Sequence, residues 1–347
     1  MKNFSFVFLF VFWGCTSNSR VPREDEMDAY LMVYFQDPTH SLYMAVSTDG
    51  YTFTDINNFQ PVIAGDTIAD QKGIRDPHIT RGPDNCFYMT MTDLHLFGRE
   101  KGYRDTEWDR DADKYDWGNN RGFVLMKSKD LIHWSISRFR FHEAFPGYEE
   151  MGCAWAPETI YDPEEGKMMI YYTMRMGHGL TKLYYSYTDD DFTKLVTEPK
   201  LLFEYPKADC QYLDADITKV GDKYYMFYVA HDEGGGVKKA VSSHINRGYV
   251  YEPDWVDPEE PACEAPNLWK RIGEDKWVLM YDIFGIQPHN FGFSETADLD
   301  HFTDLGRFNE GTMKAVNFRS PKHGAVIQIT REEAERLAKH WGTELKF

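Results

Sequence analysis

The chain has 347 residues with 38 Lys and Arg against 56 Asp and Glu, and its net charge of −18 excludes a nucleic-acid groove, which needs clustered basic side chains. Aromatic residues make up 16%, and turns rich in glycine and proline recur, a composition that favours sheet over helix. A single domain of this length is expected from an architecture that grows by adding repeated units.

In chain order, Lys2 precedes an apolar stretch over residues 4–13 that is too short to span a bilayer and ends at Trp13-Gly14-Cys15, before a polar Thr16-Ser17-Asn18-Ser19 segment. This resembles a bacterial lipoprotein signal. It implies removal of residues 1–14, lipid on the Cys15 thiol, a polar tether over 15–28 and a protein held at the cell envelope through that anchor alone. The competing reading is an ordinary signal peptide with an incidental cysteine; both export the protein.

Beyond the tether, apolar runs beginning near Tyr30, Cys86, Met168, Tyr224 and Trp277 are spaced by 56, 82, 56 and 53 residues, so the intervals agree once about 26 residues are counted as an insertion in the second. Four of these runs follow a short string and a turn: Arg75-Asp76-Pro77-His78-Ile79, Trp155-Ala156-Pro157-Glu158, Leu213-Asp214-Ala215-Asp216-Ile217 and Glu264-Ala265-Pro266-Asn267-Leu268. String, turn and second run make a β-hairpin. A polar turn with an aromatic, as in Ser47-Thr48-Asp49-Gly50-Tyr51 or Ser128-Lys129-Asp130-Leu131-Ile132, marks a third strand. A period near 55 suits a four-stranded propeller blade. The predicted fold is therefore all-β, a five-bladed β-propeller over residues 29–330. The unit from Tyr30 lacks an opening strand and residues 322–329 form a strand with no hairpin, so the two are expected to complete one blade and close the ring. Thr330 and Glu333 read as a capping box opening an amphipathic helix in the terminal segment 331–347.

The insertion, from about Leu94 to Asn119, carries Tyr103, Trp108, Tyr115 and Trp117 among charges and reads as a wall beside a pocket or as a solvated loop. Asp109, Asp111 and Asp113 mimic the start of a calcium loop, but Lys114 replaces the required glycine. Cys86, Cys153, Cys210 and Cys263 fall in different blades without zinc-ligand spacing and are expected as buried free thiols.

Innermost propeller strands start around one end of the central channel, so Asp76, Trp155, Asp214, Glu264 and His323 are expected to converge there. Carboxylates and an indole in a recessed well are what a glycosidase needs. The ordered series Asp-Pro, Trp-Ala-Pro, Asp, Glu-Ala-Pro and His323-Gly324 resembles family 43 glycoside hydrolases. That resemblance implies hydrolysis of arabinose- or xylose-containing glycans with inversion, with Asp76 as general base, Glu264 as general acid and Asp214 orienting and tuning the acid. The third carboxylate is Asp214 or, two residues on, Asp216; Asp214 stands where the family's Asp stands. Trp155, Arg75, His323, Glu158 and Trp117 are the expected substrate-binding residues. Strand alternation would turn Arg75 to the opposite face from Asp76, and Glu158 is as well suited to bonding backbone within its blade. No cofactor is required by the resemblance; a structural calcium near His323 is consistent with it, and no catalytic metal is expected. The substrate is an oligo- or polysaccharide, with α-L-arabinofuranose the first choice and a β-xyloside or an exo-cleaved galactoside next. A glycan-binding propeller without activity is the non-enzymatic alternative.

Overall fold

The computed structural model describes residues 20–103, 108, 110–232, 236–259 and 263–347, so the expected signal segment, Cys15, the start of the tether and Asp109 lie outside the described residues. Five sheets form the described molecule. Blade I holds, from the centre outward, Lys322–Thr330, Met27–Phe35, Leu42–Ser47, Thr52–Asp55 and, paired in parallel on the outer edge, Lys314–Ala315. Blade II is Ile74–Arg81, Phe87–Asp93, Gly122–Ser128 and Trp134–Arg140. Blade III is Met151–Asp162, Lys167–Met176, Lys182–Tyr187 and Lys200–Leu201. Blade IV is Tyr212–Val220, Lys223–Ala230, Val237–Ser242 and Val250–Trp255, and blade V is Cys263–Lys270, Trp277–Ile283, Asn290–Thr296 and Thr303–Arg307.

Closure follows the sequence expectation: the last strand pairs antiparallel with the first, with Leu31 opposite Ile327 and Val33 opposite Ala325. This leaves the innermost strand of blade I on a segment nearly 300 residues from its neighbour in the chain and covers what would be a free sheet edge.

Period-2 alternation explains why blades stack. Leu31, Val33 and Phe35 enter a cluster with Ile79, Phe87 and Met89 of blade II, whereas Tyr30, Met32 and Tyr34 enter one with Trp269, Val278 and Met280 of blade V. Each of the five apolar clusters fills the gap between two adjacent blades. Because a strand in this packing is buried on both faces, it reads as a nearly continuous apolar run. Cys86, Cys153, Cys210 and Cys263 are buried and belong to no disulfide among the described residues.

The polar turns marked in the sequence join the third strand of a blade to the fourth, one strand further out than expected. Ser128 Oγ accepts from Leu131 N at 2.9 Å while Asp130 Oδ1 accepts from Ile132 N and His133 N at 2.9 and 2.8 Å. Thr296 and Asp298 repeat the pattern. The side chains thus replace ladder partners where the chain reverses.

The final helix spans Arg331–Trp341 and stops at Gly342, which takes the left-handed conformation, so residues 343–347 are not helical. Its Thr330–Glu333 capping box forms as expected, and Arg81 of blade II grips Glu333 through two hydrogen bonds of 2.8 and 2.7 Å. Leu337 is buried between blades I and II.

Candidate active site

Every innermost strand carries the same irregularity near its start. In blade II Arg75 pairs with Thr92 and His78 with Thr90, so Asp76 and Pro77 face a single residue. The same two-against-one break falls at 156–157, 214–215, 265–266 and 323–324. At each break the first residue has positive φ: Asp76 +53°, Ala156 +46°, Asp214 +50°, Ala265 +55° and His323 +28°. A bulge leaves its extra residue unpaired, which is why Pro77, Pro157 and Pro266 fit where a regular central strand would reject proline.

The bulge decides what faces the channel. It suspends alternation for one step, so in blades I, II and IV a bulged residue and the residue before it both line the same cavity of about 510 Å³. Arg75 and Asp76 lie there together, as do Leu213 with Asp214 and Lys322 with His323. This corrects the expectation that Arg75 turns to the far face. It also corrects the strict equivalence of the five convergent residues. Asp76, Asp214 and His323 occupy the bulged position, whereas Trp155 and Glu264 stand one residue earlier and Ala156 and Ala265 fill the equivalent place. All five expected residues nevertheless line the cavity.

Hydrogen bonds from side chains on second strands hold these bulges. Thr92 Oγ1 donates to Asp76 Oδ2 at 2.7 Å and accepts from Ala156 N at 2.9 Å. Thr173 accepts from Asp214 N at 2.9 Å, and Asp282 Oδ2 from His323 N at 3.1 Å. Thr92, Thr173 and Asp282 each stand opposite the residue that precedes a bulge, one strand out.

One layer deeper lie the first regularly paired residues after the bulge, His78, Glu158, Asp216 and Asn267, and they stitch the blades into a ring. His78 Nδ1 accepts from Thr159 N at 3.1 Å, Asp216 Oδ2 from Leu268 N at 2.9 Å and Asn267 Oδ1 from Val326 N at 2.9 Å. Glu158 does the same through Tyr171, whose hydroxyl donates to Oε2 at 2.8 Å and accepts from Ile217 N at 2.9 Å. Glu158 is therefore not in the cavity lining, a correction to its expected contact with sugar, and Asp216 joins it beneath the floor while Asp214 lines the cavity. Burial pushes the Glu158 carboxyl well above the usual range, with Asp216 adding to the effect, and lifts Asp216 to about 6. The rise favours the protonated form of Glu158, which relieves its repulsion with Asp216.

At the cavity, charges are arranged in pairs. Arg75 Nη1 contacts Asp37 at 2.9 Å, with its Nε 3.9 Å from Asp76. His323 Nδ1 is 3.4 Å from Asp76 and 4.0 Å from Asp214, and burial lowers its pKa, favouring the neutral ring. Burial, then Glu264 and Asp76, push the Asp214 carboxyl well above the usual range. Lys322 lies 3.5 Å from Glu264 and 3.6 Å from Asp282, and its charge opposes the burial that lifts Asp282 to about 7. Burial works against the charge on Lys322, yet Asp282 and Glu264 together hold its pKa up.

Lys322, Asp282, Thr92 and Arg175 were missed from sequence. Lys322 could have been found, because it occupies the position before a bulge that Arg75, Trp155 and Glu264 share. The other three lie on second strands, where nothing in the local pattern sets them apart.

Around His323 stand the Asp76 and Asp214 carboxylates, 3.4 and 4.0 Å from its Nδ1. Calcium takes six to eight oxygens, waters included, and these carboxylates are the oxygen donors that a calcium ion beside His323 would use. Among the described residues, the side chains grouped closely enough to hold a metal are His78, Glu158 and Asp216. Their acceptor atoms already bridge the blades.

Residues 110–119 of the aromatic insertion dock on blade III. Trp117 and Trp155 meet edge to face, centroids 5.6 Å apart at 72°, and both line the cavity.

The profile of a family described as "Probable glycosyl hydrolase domain", related to glycoside hydrolase family 43, matches residues 25–335. An α-L-arabinofuranosidase of Bifidobacterium longum subsp. longum is 22% identical over 218 residues, 58% of this chain, and the chain spans only 18% of that protein's length. An endo-arabinase structure from Bacteroides thetaiotaomicron superposes with a TM-score of 0.53 at 14% identity, covering 80% of this chain and 94% of that one. A family 43 β-1,3-galactosidase superposes with a TM-score of 0.55 at 13% identity over 80% of this chain and 56% of that one. These structural likenesses concern the fold.

Proposed function

Because the chain belongs to the glycoside hydrolases related to family 43, we propose that it removes terminal pentose, α-L-arabinofuranose first, from plant-type glycans with inversion at the anomeric carbon. The observation that carries this reading is the meeting of Asp76, Asp214 and Glu264, from three different blades, in one cavity walled by Trp117 and Trp155. The arabinofuranosidase relative supports the choice of sugar.

Asp76 acts as general base. Arg75 Nε stands 3.9 Å from it, the Thr92 hydroxyl donates to it and His323, favoured as the neutral ring, lies beside it, so its carboxyl is placed to take a proton from the attacking water. Glu264, the most exposed of the three carboxyls, acts as general acid on the leaving oxygen. Asp214, favoured in its protonated form behind it, keeps a second negative charge away from the sugar and orients the acid. An inverting pair needs room for water between base and sugar.

The test is hydrolysis of aryl α-L-arabinofuranosides by wild type and two variants. Asp76→Asn should lose about 10²- to 10⁴-fold on every substrate, whereas Glu264→Gln should keep far more activity on an acidic phenol leaving group than on a glycan. Full activity of Asp76→Asn would contradict the assignment. We also propose that Cys15 anchors the enzyme by lipid to the bacterial envelope, where a glycan substrate is met outside the cytoplasm.

A further inference from the structure

The wall of the cavity on the blade III side is built from the end of the insertion, residues 110–119, which hydrogen bonds tie to blade III. Asn120 takes the place of a strand residue: its amide donates to Ala154 O at 2.7 Å and its oxygen accepts from Ala154 N at 2.8 Å. Ahead of it, a turn of helix at Ala112–Tyr115 leads to Asp116 and Trp117. Trp117 is 59% exposed, yet it sits on the cavity wall against Trp155.

Arg175, on the second strand of blade III and only 3% exposed, underlies this corner. Its Nη2 donates to Tyr115 O at 2.9 Å and to Trp117 O at 2.6 Å, and its Nη1 lies 3.5 Å from Asp116. Its guanidinium also packs 4.8 Å from the centre of the Trp155 ring, and Trp155 Nε1 donates to Gly118 O at 2.8 Å. One planar fork thus fixes the backbone on both sides of Asp116 and the face of the second indole. The backbone is shaped to permit it. A Cβ on Gly118, where φ is +63°, would fall 2.9 Å from Trp155, and one on Gly152 would fall 3.0 Å from Arg175 and 2.0 Å from Gly177 O.

We propose that Arg175 is a positioning residue that holds the Trp117–Trp155 corner as a preformed platform for the sugar units beyond the one cleaved. This rests on the glycoside hydrolase reading and extends it: the preferred substrate is an oligosaccharide with at least one further ring to lie on the indoles. Apolar sugar faces stack on aromatic rings, and a prefixed ring costs no ordering entropy on binding.

The experiment compares wild type, Arg175→Ala, Trp117→Ala and the double variant on two substrates, an arabino-oligosaccharide and α-L-arabinofuranosyl fluoride, whose leaving group reaches no indole. Arg175→Ala should raise KM for the oligosaccharide about tenfold with kcat nearly unchanged, and leave the fluoride kinetics as in wild type. In the Trp117→Ala background the second substitution should add nothing. Gly118→Ala, which displaces the same indole from the opposite side, should reproduce the effect if Arg175→Ala does not fold. Calorimetric binding across a panel of pentose and hexose oligosaccharides reads the platform even in protein that cleaves none of them. Equal losses on both substrates, additive losses in the double variant, or no binding of any panel member by wild type would overturn the proposal. Tight binding without hydrolysis would contradict the catalytic reading and leave the platform standing.

Discussion

Lys322 sets the electrostatic character of the site at the scale of single residues. Its ammonium lies 3.5 Å from Glu264 and 3.6 Å from Asp282. Burial holds the Asp282 carboxyl up at about 7, and Lys322 opposes that rise. Without the cation the Asp282 carboxyl should rise further and stay protonated to higher pH. In Lys322→Met the Asp282 carboxyl carbon, followed by NMR, should therefore titrate at higher pH than in wild type; titration at lower pH would contradict the pairing. The same reasoning separates Asp214 from Asp216. Both carry raised pKa values through burial, but only Asp214 lines the cavity, whereas Asp216 is held by Leu268 N and Asn267 beneath it.

The repeated bulge is the feature of greatest consequence at the scale of elements. It brings two consecutive side chains to the cavity in three of the blades and places five residues at positive φ, four of which, Asp76, Asp214, Ala156 and Ala265, lie between +46° and +55°. Aspartate tolerates this region through its short polar side chain, but alanine has no such compensation. Ala156→Gly should accordingly stabilise the protein by about 1 kcal/mol, seen as a higher urea midpoint at unchanged slope. A lower midpoint would mean that the strain is absent. The bulge also explains what sequence reasoning reached and what it did not. The hairpin repeat, the blade period and the closing strand were legible because apolar runs and turns recur at measurable spacing. Asp76, Trp155, Asp214 and Glu264 were legible because each opens a strand. Strict alternation misjudged Arg75, and placed Asp214 and Asp216 on one face, since a two-against-one break leaves no mark in the hydrophobic pattern. Pro77, Pro157 and Pro266 were the available signal, being tolerated in a central strand only where the ladder is interrupted. Arg175 and Thr92 were beyond reach, because their roles depend on a neighbouring blade or a docked insertion.

At the scale of the whole molecule, ring closure by the last strand makes the cavity a product of the entire chain. Asp76 is in the second blade, Asp214 in the fourth, Glu264 in the fifth and His323 on the strand that closes the first. Met27 begins the strand second from the centre of blade I and pairs with Thr330, at the far end of that strand from Phe35 and the cavity-lining Lys322. If Cys15 carries the anchor, growth with a labelled fatty acid should mark the wild-type chain and not Cys15→Ser. Equal labelling of both would contradict the anchor.

The central claim, that a carboxylate pair with Asp76 as base and Glu264 as acid hydrolyses the glycosidic bond by a single displacement, is tested most directly by proton NMR of the first sugar released from an α-L-arabinofuranoside. Single displacement predicts that β-L-arabinofuranose appears first and then mutarotates. Initial appearance of the α anomer would mean a covalent intermediate and would contradict the account.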